Sequence, residues 1–277
     1  MSKLILSPSL NWEVQEKPVY CQNRLVVGYK AIVRSDTGVI LNVPKKSYSP
    51  TRNERLMEVV NRLAEVTGFT LEGYDEYQGG RKVLAFLRNP GKVQVADFEF
   101  DDFMMIGNSH DYSTGFFVGT STMMIRCENR FSQKNQKMKV FHTRNHDVRI
   151  KELISYFENY RHHRDGLFHT MEEMARVKVD EVVIDGLVRR LVALEHEEKM
   201  VEGVREISTR KANIKALIES SIDRECADIG YNALGLFNGV THYTTHVKKT
   251  RERVFGNVLG GLNLDNQKAF AYCAGLI

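Results

Sequence analysis

Asp101, Asp102, His110 and Asp111 lie within eleven residues of one another, with Asp97 and Glu99 just upstream. Carboxylates and an imidazole that converge on one point can hold Mg²⁺ for phosphodiester chemistry. The hard oxygen donors bind the ion, and the ion polarises a phosphate oxygen. Their spacing matches no recognisable ligand pattern. A solvated acidic loop with turn-forming aspartates accounts for them more simply.

A second candidate is the run His242-Tyr243-Thr244-Thr245-His246. Two histidines at i and i+4 share one helix face, which is the spacing of a zinc-binding pair. The glutamate of the metalloprotease motif is missing. Two polar residues near a helix C-terminus, where a cationic histidine also suits the helix dipole, are the plainer reading. The sequence contains no phosphate-binding loop, no nucleophile elbow and no HExxH motif. No catalytic residue and no cofactor is therefore assigned.

Charge is distributed unevenly. The net charge of +4 is mild, but from Met124 to Arg164 ten Lys/Arg stand against four Asp/Glu. That run includes Arg126, Arg130, Lys134, Lys137, Lys139, Arg144, Arg149 and Lys151, with Phe131, Phe141, Tyr156, Phe157 and Tyr160 interleaved. From Lys17 to Arg62 nine Lys/Arg face three Asp/Glu, among them Lys45, Lys46, Arg52 and Arg55. Glu172 to Glu198 is acidic instead, eight against four. Clustered cations bind a phosphate backbone and make that binding salt-sensitive, and neighbouring aromatic faces can stack single-stranded bases. The alternative is that these charges lie on unrelated solvated faces and the aromatics belong to the core.

The elements that must carry these residues fall into two regions. Leu25 to Arg34 and Val39 to Val43 flank Asp36-Thr37-Gly38 and predict a hairpin. Thr51 and Glu54 fit a capping box, and Leu56, Val59, Val60 and Leu63 recur at helical spacing until Gly68. Phe69 to Tyr77 and Arg81 to Arg88 predict a second hairpin around Gly79-Gly80. Strand-like runs follow at Phe103 to Ile106, Gly115 to Cys127 and Met138 to His142. After about residue 145 the pattern becomes helical, with apolar spacings through 150–157, 183–194, 214–222 and 229–240, and a last helix from Asp265. The expectation is an α+β fold. Residues 1–145 form a mixed, mainly antiparallel sheet with one crossover helix, and residues 146–277 form a helical region.

Cys21, Cys127, Cys226 and Cys273 are widely spaced, which predicts free thiols in a reducing cytoplasm rather than a disulfide scaffold. No run of about 18 apolar residues is present, so no membrane span is expected.

Several short motifs succeed one another in a fixed order: Arg34-Ser35-Asp36-Thr37-Gly38, Tyr48, Gly79-Gly80-Arg81, Asp101-Asp102, His110-Asp111-Tyr112, Ile125-Arg126-Cys127-Glu128-Asn129, Phe141-His142-Thr143 and Leu236 to His246. Over roughly residues 15 to 250 this succession resembles the phage/plasmid-like family known as domain of unknown function 932. Three positions depart from the family pattern. Tyr112 stands where a small or glycine-type residue is usual. The late motif has Gly239 for an alanine and Thr245 for the aspartate before His246. The resemblance implies a gene of mobile elements. The order strand, strand, helix, strands, helix is similar to single-strand annealing proteins of the RecT, Red-beta and Rad-fifty-two type. The expected function is therefore single-stranded DNA binding and strand annealing by a homo-oligomer without a cofactor. The alternatives are an interaction protein that binds a host factor, and the metal-dependent nuclease.

Overall fold

The computed structural model describes residues 7, 9–126, 128–140, 148, 150, 152, 157–193, 199–201, 204–206, 208–249, 256, 258 and 260–277. The chain is α+β. A three-stranded sheet has the order β1 (Val14–Cys21), β2 (Arg24–Arg34), β3 (Ile40–Asn42). A six-stranded sheet follows the path β4 (Thr70–Tyr77), β5 (Lys82–Arg88), β7 (Phe98–Ser109), β8 (Phe116–Met124), β9 (Arg130–Val140), and β6 (Val93–Val95) also pairs with β7. The pairs β1–β2, β2–β3, β4–β5, β5–β7 and β6–β7 are antiparallel.

Helix α1 (Asn53–Thr67) lies between β3 and β4 in sequence. Then come α2 (Phe157–Arg176), α3 (Glu181–Val192), a short hairpin of β10 (Lys199–Val201) and β11 (Val204–Glu206), α4 (Thr209–Ile229), α5 (Ala233–His242) and α6 (Gly261–Ala274). A π-helical turn, Tyr243–Val247, extends α5. The strand at Val14–Cys21 and the helix at Phe157–Arg176 are additions to what the sequence pattern predicts. The predicted helix at 150–157 and the end of the predicted strand at 138–142 fall largely outside the described residues.

Two compact units are present. The first comprises Met1–Lys92, Asp101–Ser121 and Lys134–Arg164; the second comprises Val93–Phe100, Thr122–Gln133 and Asp165–Ile277. In the first unit, Leu56, Val59, Val60 and Leu63 of α1 are almost wholly buried in one core with Val83, Ala85 and Leu87 of β5 and Met104 and Ile106 of β7. That is the α1 face expected from its 3.6-residue period. The helix stops as predicted at Gly68, whose φ of 71° is the left-handed conformation that glycine adopts without steric cost.

The start of α1 differs from the capping-box expectation. The N-cap is Arg52, with no side-chain cap, and the helix begins at Asn53. Tertiary contacts fix this start. The Asn108 side chain donates to the Thr51 carbonyl, and the Asn53 side chain donates to the Trp12 carbonyl.

The second unit is built on α4 and α5, which pack through Gly235 and Gly239. A Cβ on Gly239 would stand 2.5 Å from the Ile222 Cα, so only glycine lets the two backbones approach this closely. Phe131, Phe237 and Phe270 form an aromatic trio, with ring centres 5.0–5.4 Å apart.

Candidate functional site

The four metal candidates do not form a site. Asp101 and Asp102 lie early on β7, and His110 and Asp111 follow its far end. Seven strand residues, Phe103 to Ser109, separate Asp102 from the His110-Asp111 turn, about 23 Å of extended chain. Strand alternation also sends Asp101 and Asp102 to opposite faces. Asp101 accepts from Arg88 and Lys92, each at 2.7 Å. Burial alone would raise its pKa, but these cations hold the carboxyl below the usual range. Asp102 is fully buried, near Asn89 (3.1 Å), Tyr160 and Arg164 (both 3.4 Å). Burial pushes its pKa up, and those three groups offset this only in part. Among the described residues no group of three or more His, Cys, Asp or Glu is placed to hold a metal ion.

His242 and His246 do meet, with ring centres 5.1 Å apart. They span the change from α5 into the π turn, a local widening that often accompanies functional positions. His242 is buried, and its pKa falls to about 4 through burial first, then through the nearby His246 and Arg224. Around the pair lies a buried polar network. Asn238 donates to Glu225 (2.5 Å), and Thr241 and Thr244 donate to the Asn238 and Thr241 carbonyls. Asn129 donates to the Asn238 carbonyl at 3.3 Å. This network positions helices.

His110 has a different setting. It is fully buried. Its Nε2 lies 3.1 Å from the Asn53 Oδ1, and its ring meets Trp12 edge-on at 5.6 Å. Arg34 stands over the Trp12 ring. It bonds Asp36 and Glu76, and Glu76 also accepts from the Trp12 indole at 2.7 Å. A Cβ on Gly80 would lie 2.7 Å from the Trp12 ring, and the His110 amide donates to the Arg81 carbonyl. Residues dispersed in sequence as Arg34-to-Gly38, Gly79-to-Arg81 and His110-to-Tyr112 therefore share one place in the first unit, organised by Trp12.

The basic residues divide in space. Lys45, Lys46 and Arg52 are exposed in the first unit. Arg55 bonds Glu58 at 2.7 Å. In the second unit Arg126 is exposed and bonds Asp228, whereas Arg130 is buried with its guanidinium 3.8 Å from the Met123 sulfur. Buried in this way, Arg130 has little surface to offer a phosphate. Lys134, Lys137 and Lys139 lie on β9 with side chains outside the described residues, and Arg144, Arg149 and Lys151 are outside them altogether.

One surface was not legible in advance. The β1–β2 ribbon turns at Gln22-Asn23, both with positive φ (47° and 65°), the two-residue turn that suits strand twist. Beyond its buried base the ribbon exposes Tyr20, Leu25, Val27 and Tyr29, with Val27 79 % exposed. Lys17 and Arg24 are exposed on the same ribbon, and Tyr29 pairs with Lys45 through an isolated bridge. Pro18 and the charged pair Glu16-Lys17 masked β1 in the sequence. The one available signal was the adjacent run of β-prone residues in β2.

The family model for the domain of unknown function DUF932 matches residues 40–258, and the chain belongs to this family. No curated protein and no solved structure matches the chain. No helix among the described residues is long and apolar enough to cross a membrane.

Proposed function

We propose that the chain binds single-stranded DNA along the β1–β2–β3 surface of the first unit and acts there as an annealing protein. It would assemble as a homo-oligomer and need no cofactor, in the service of a phage or plasmid. The observation that carries this reading is the composition of the exposed ribbon. Tyr20 and Tyr29 are exposed beside Lys17, Arg24, Lys45 and Lys46. Cations supply sequence-independent phosphate affinity, and aromatic faces stack any base. Extended strands present both kinds of side chain at regular intervals without a pocket.

Gel-shift and anisotropy measurements with a long oligonucleotide test it. Binding should weaken steeply with salt, and the double variant K45E/K46E should lose much of it. No binding at low salt would sink the reading. Leu25 and Val27 on the same ribbon favour a second reading, in which a host protein docks there. Recovery of a stoichiometric protein from nuclease-treated host lysate, lost on V27E substitution, would favour it over the first.

A further inference from the structure

Tyr112 follows His110-Asp111 with a φ of 67°, the left-handed region. A bulky residue there is uncommon and costs free energy that glycine would avoid. The side chain recovers little of that cost through burial, because Tyr112 remains 57 % exposed. Yet its ring is not loose. It packs on Tyr48, with centres 4.5 Å apart, and Tyr48 is itself buried. The loop beneath is held by the Ser113 amide donating to Asp111, and Lys82 lies 4.0 Å from the same carboxylate.

The lysines of the ribbon surface lie one turn away. The Tyr48 amide donates to the Lys45 carbonyl at 3.0 Å, and the Lys46 amide donates to the Gly28 carbonyl on β2 at 2.9 Å. Tyr29, Lys45, Lys46, Tyr48 and Tyr112 thus follow one another through direct contacts. An exposed aromatic surface, held by a buried ring, is thus joined through Tyr48 to the segment that carries two exposed lysines.

We propose that the outer face of Tyr112 is a stacking platform for one base of a single strand whose neighbouring phosphates lie on Lys45 and Lys46. This rests on the single-strand reading given above and names a position within it. Its chemistry is that of a flat, sequence-tolerant aromatic contact, so it should serve any base.

The test is anisotropy titration of a labelled oligothymidylate with the full chain and the variants Y112G and Y112F, alongside thermal unfolding of each. Y112G should lower affinity roughly five- to 100-fold, while its unfolding midpoint stays level or rises as the backbone strain is relieved. Y112F, which keeps the ring, should bind like the parent. If the parent binds and Y112G binds equally well, the platform is wrong and the single-strand reading stands. If the parent does not bind, that reading itself fails. A Y112G variant that loses affinity only together with a lowered midpoint would make Tyr112 a structural residue and overturn the proposal.

Discussion

The guanidinium of Arg34 stands over the Trp12 ring, 4.5 Å from its centre, and Glu76 accepts a hydrogen bond from each of the two side chains. One carboxylate therefore joins the segment before β1 to the end of β2 and to β4. Removing Arg34 leaves Glu76 half-paired and the indole face uncovered. R34A should destabilise the first unit by about 1–2 kcal/mol, and R34K by less, since a lysine keeps charge but not the fork. Trp12 is the sole tryptophan, so urea unfolding followed by its fluorescence reads this unit. An unchanged midpoint in R34A would show that the contact contributes nothing.

The close approach of α4 and α5 makes a second prediction. G239A forces a methyl group against the Ile222 backbone, where no flexible side-chain end can give way. Overpacking of this kind costs about 1–3 kcal/mol. Thermal unfolding by far-UV circular dichroism, dominated by the helical unit, should show the loss, while a substitution on the exposed face of α4, such as D228A, should not.

The buried carboxylate of Asp102 predicts a pH dependence. Burial raises its folded pKa above the unfolded value, so its contribution favours folding at low pH and declines as pH rises through the folded pKa. Arg164 offsets that cost when the carboxylate is charged. R164M should therefore cost about 1–3 kcal/mol near neutral pH, with the gap from the parent narrowing at pH 4. A gap independent of pH would show that Arg164 acts through packing rather than charge.

His242 runs in the opposite sense. Its folded pKa of about 4 lies below the ordinary 6.5, so the unfolded chain takes up a proton first on acidification. The stability it lends at neutral pH is lost as pH falls through the window from 6.5 to 4, by up to about 3 kcal/mol. Chemical denaturation across that window should show a shallower slope in H242Q than in the parent. An imidazole that titrates near 6.5 by NMR would contradict the burial described here.

Much of the fold can be read from pattern. The face of α1 follows from Leu56, Val59, Val60 and Leu63, and both hairpins follow from β-prone runs around Gly38 and Gly79-Gly80. Two elements escape for opposite reasons. In β1 both faces of the outer half meet water, so Glu16, Lys17 and Pro18 leave no alternation to detect. In α2 the buried Leu167, Phe168, Met171 and Met174 are diluted by histidines and charges. The α1 cap shifts by one residue because Asn53 and Thr51 are held by Trp12 and Asn108, partners at distant positions in the chain.

The candidate surface was legible in part. Lys45, Lys46 and Arg52 sit in a basic run and are exposed. Charge alone does not say where a side chain lies, so Arg130 belongs to a basic run in sequence and to the interior in space. The acidic and imidazole groups are close in sequence, and the strand predicted between them, Phe103 to Ile106, is shorter than the one that forms, Phe98–Ser109. Tyr112 left one trace, as a large residue where the resemblance implies a small one, and its left-handed φ of 67° is a conformation that glycine adopts more readily.

The chain passes between its two compact units five times, near residues 92, 100, 121, 133 and 164. No single cut releases either unit whole. A cut at any of these points leaves at least one unit without part of its chain, because the second unit draws on residues 93–100 and 122–133 as well as on those after 164. Insertions should be tolerated in exposed turns, such as Gln22-Asn23, before they are tolerated at any boundary between the units.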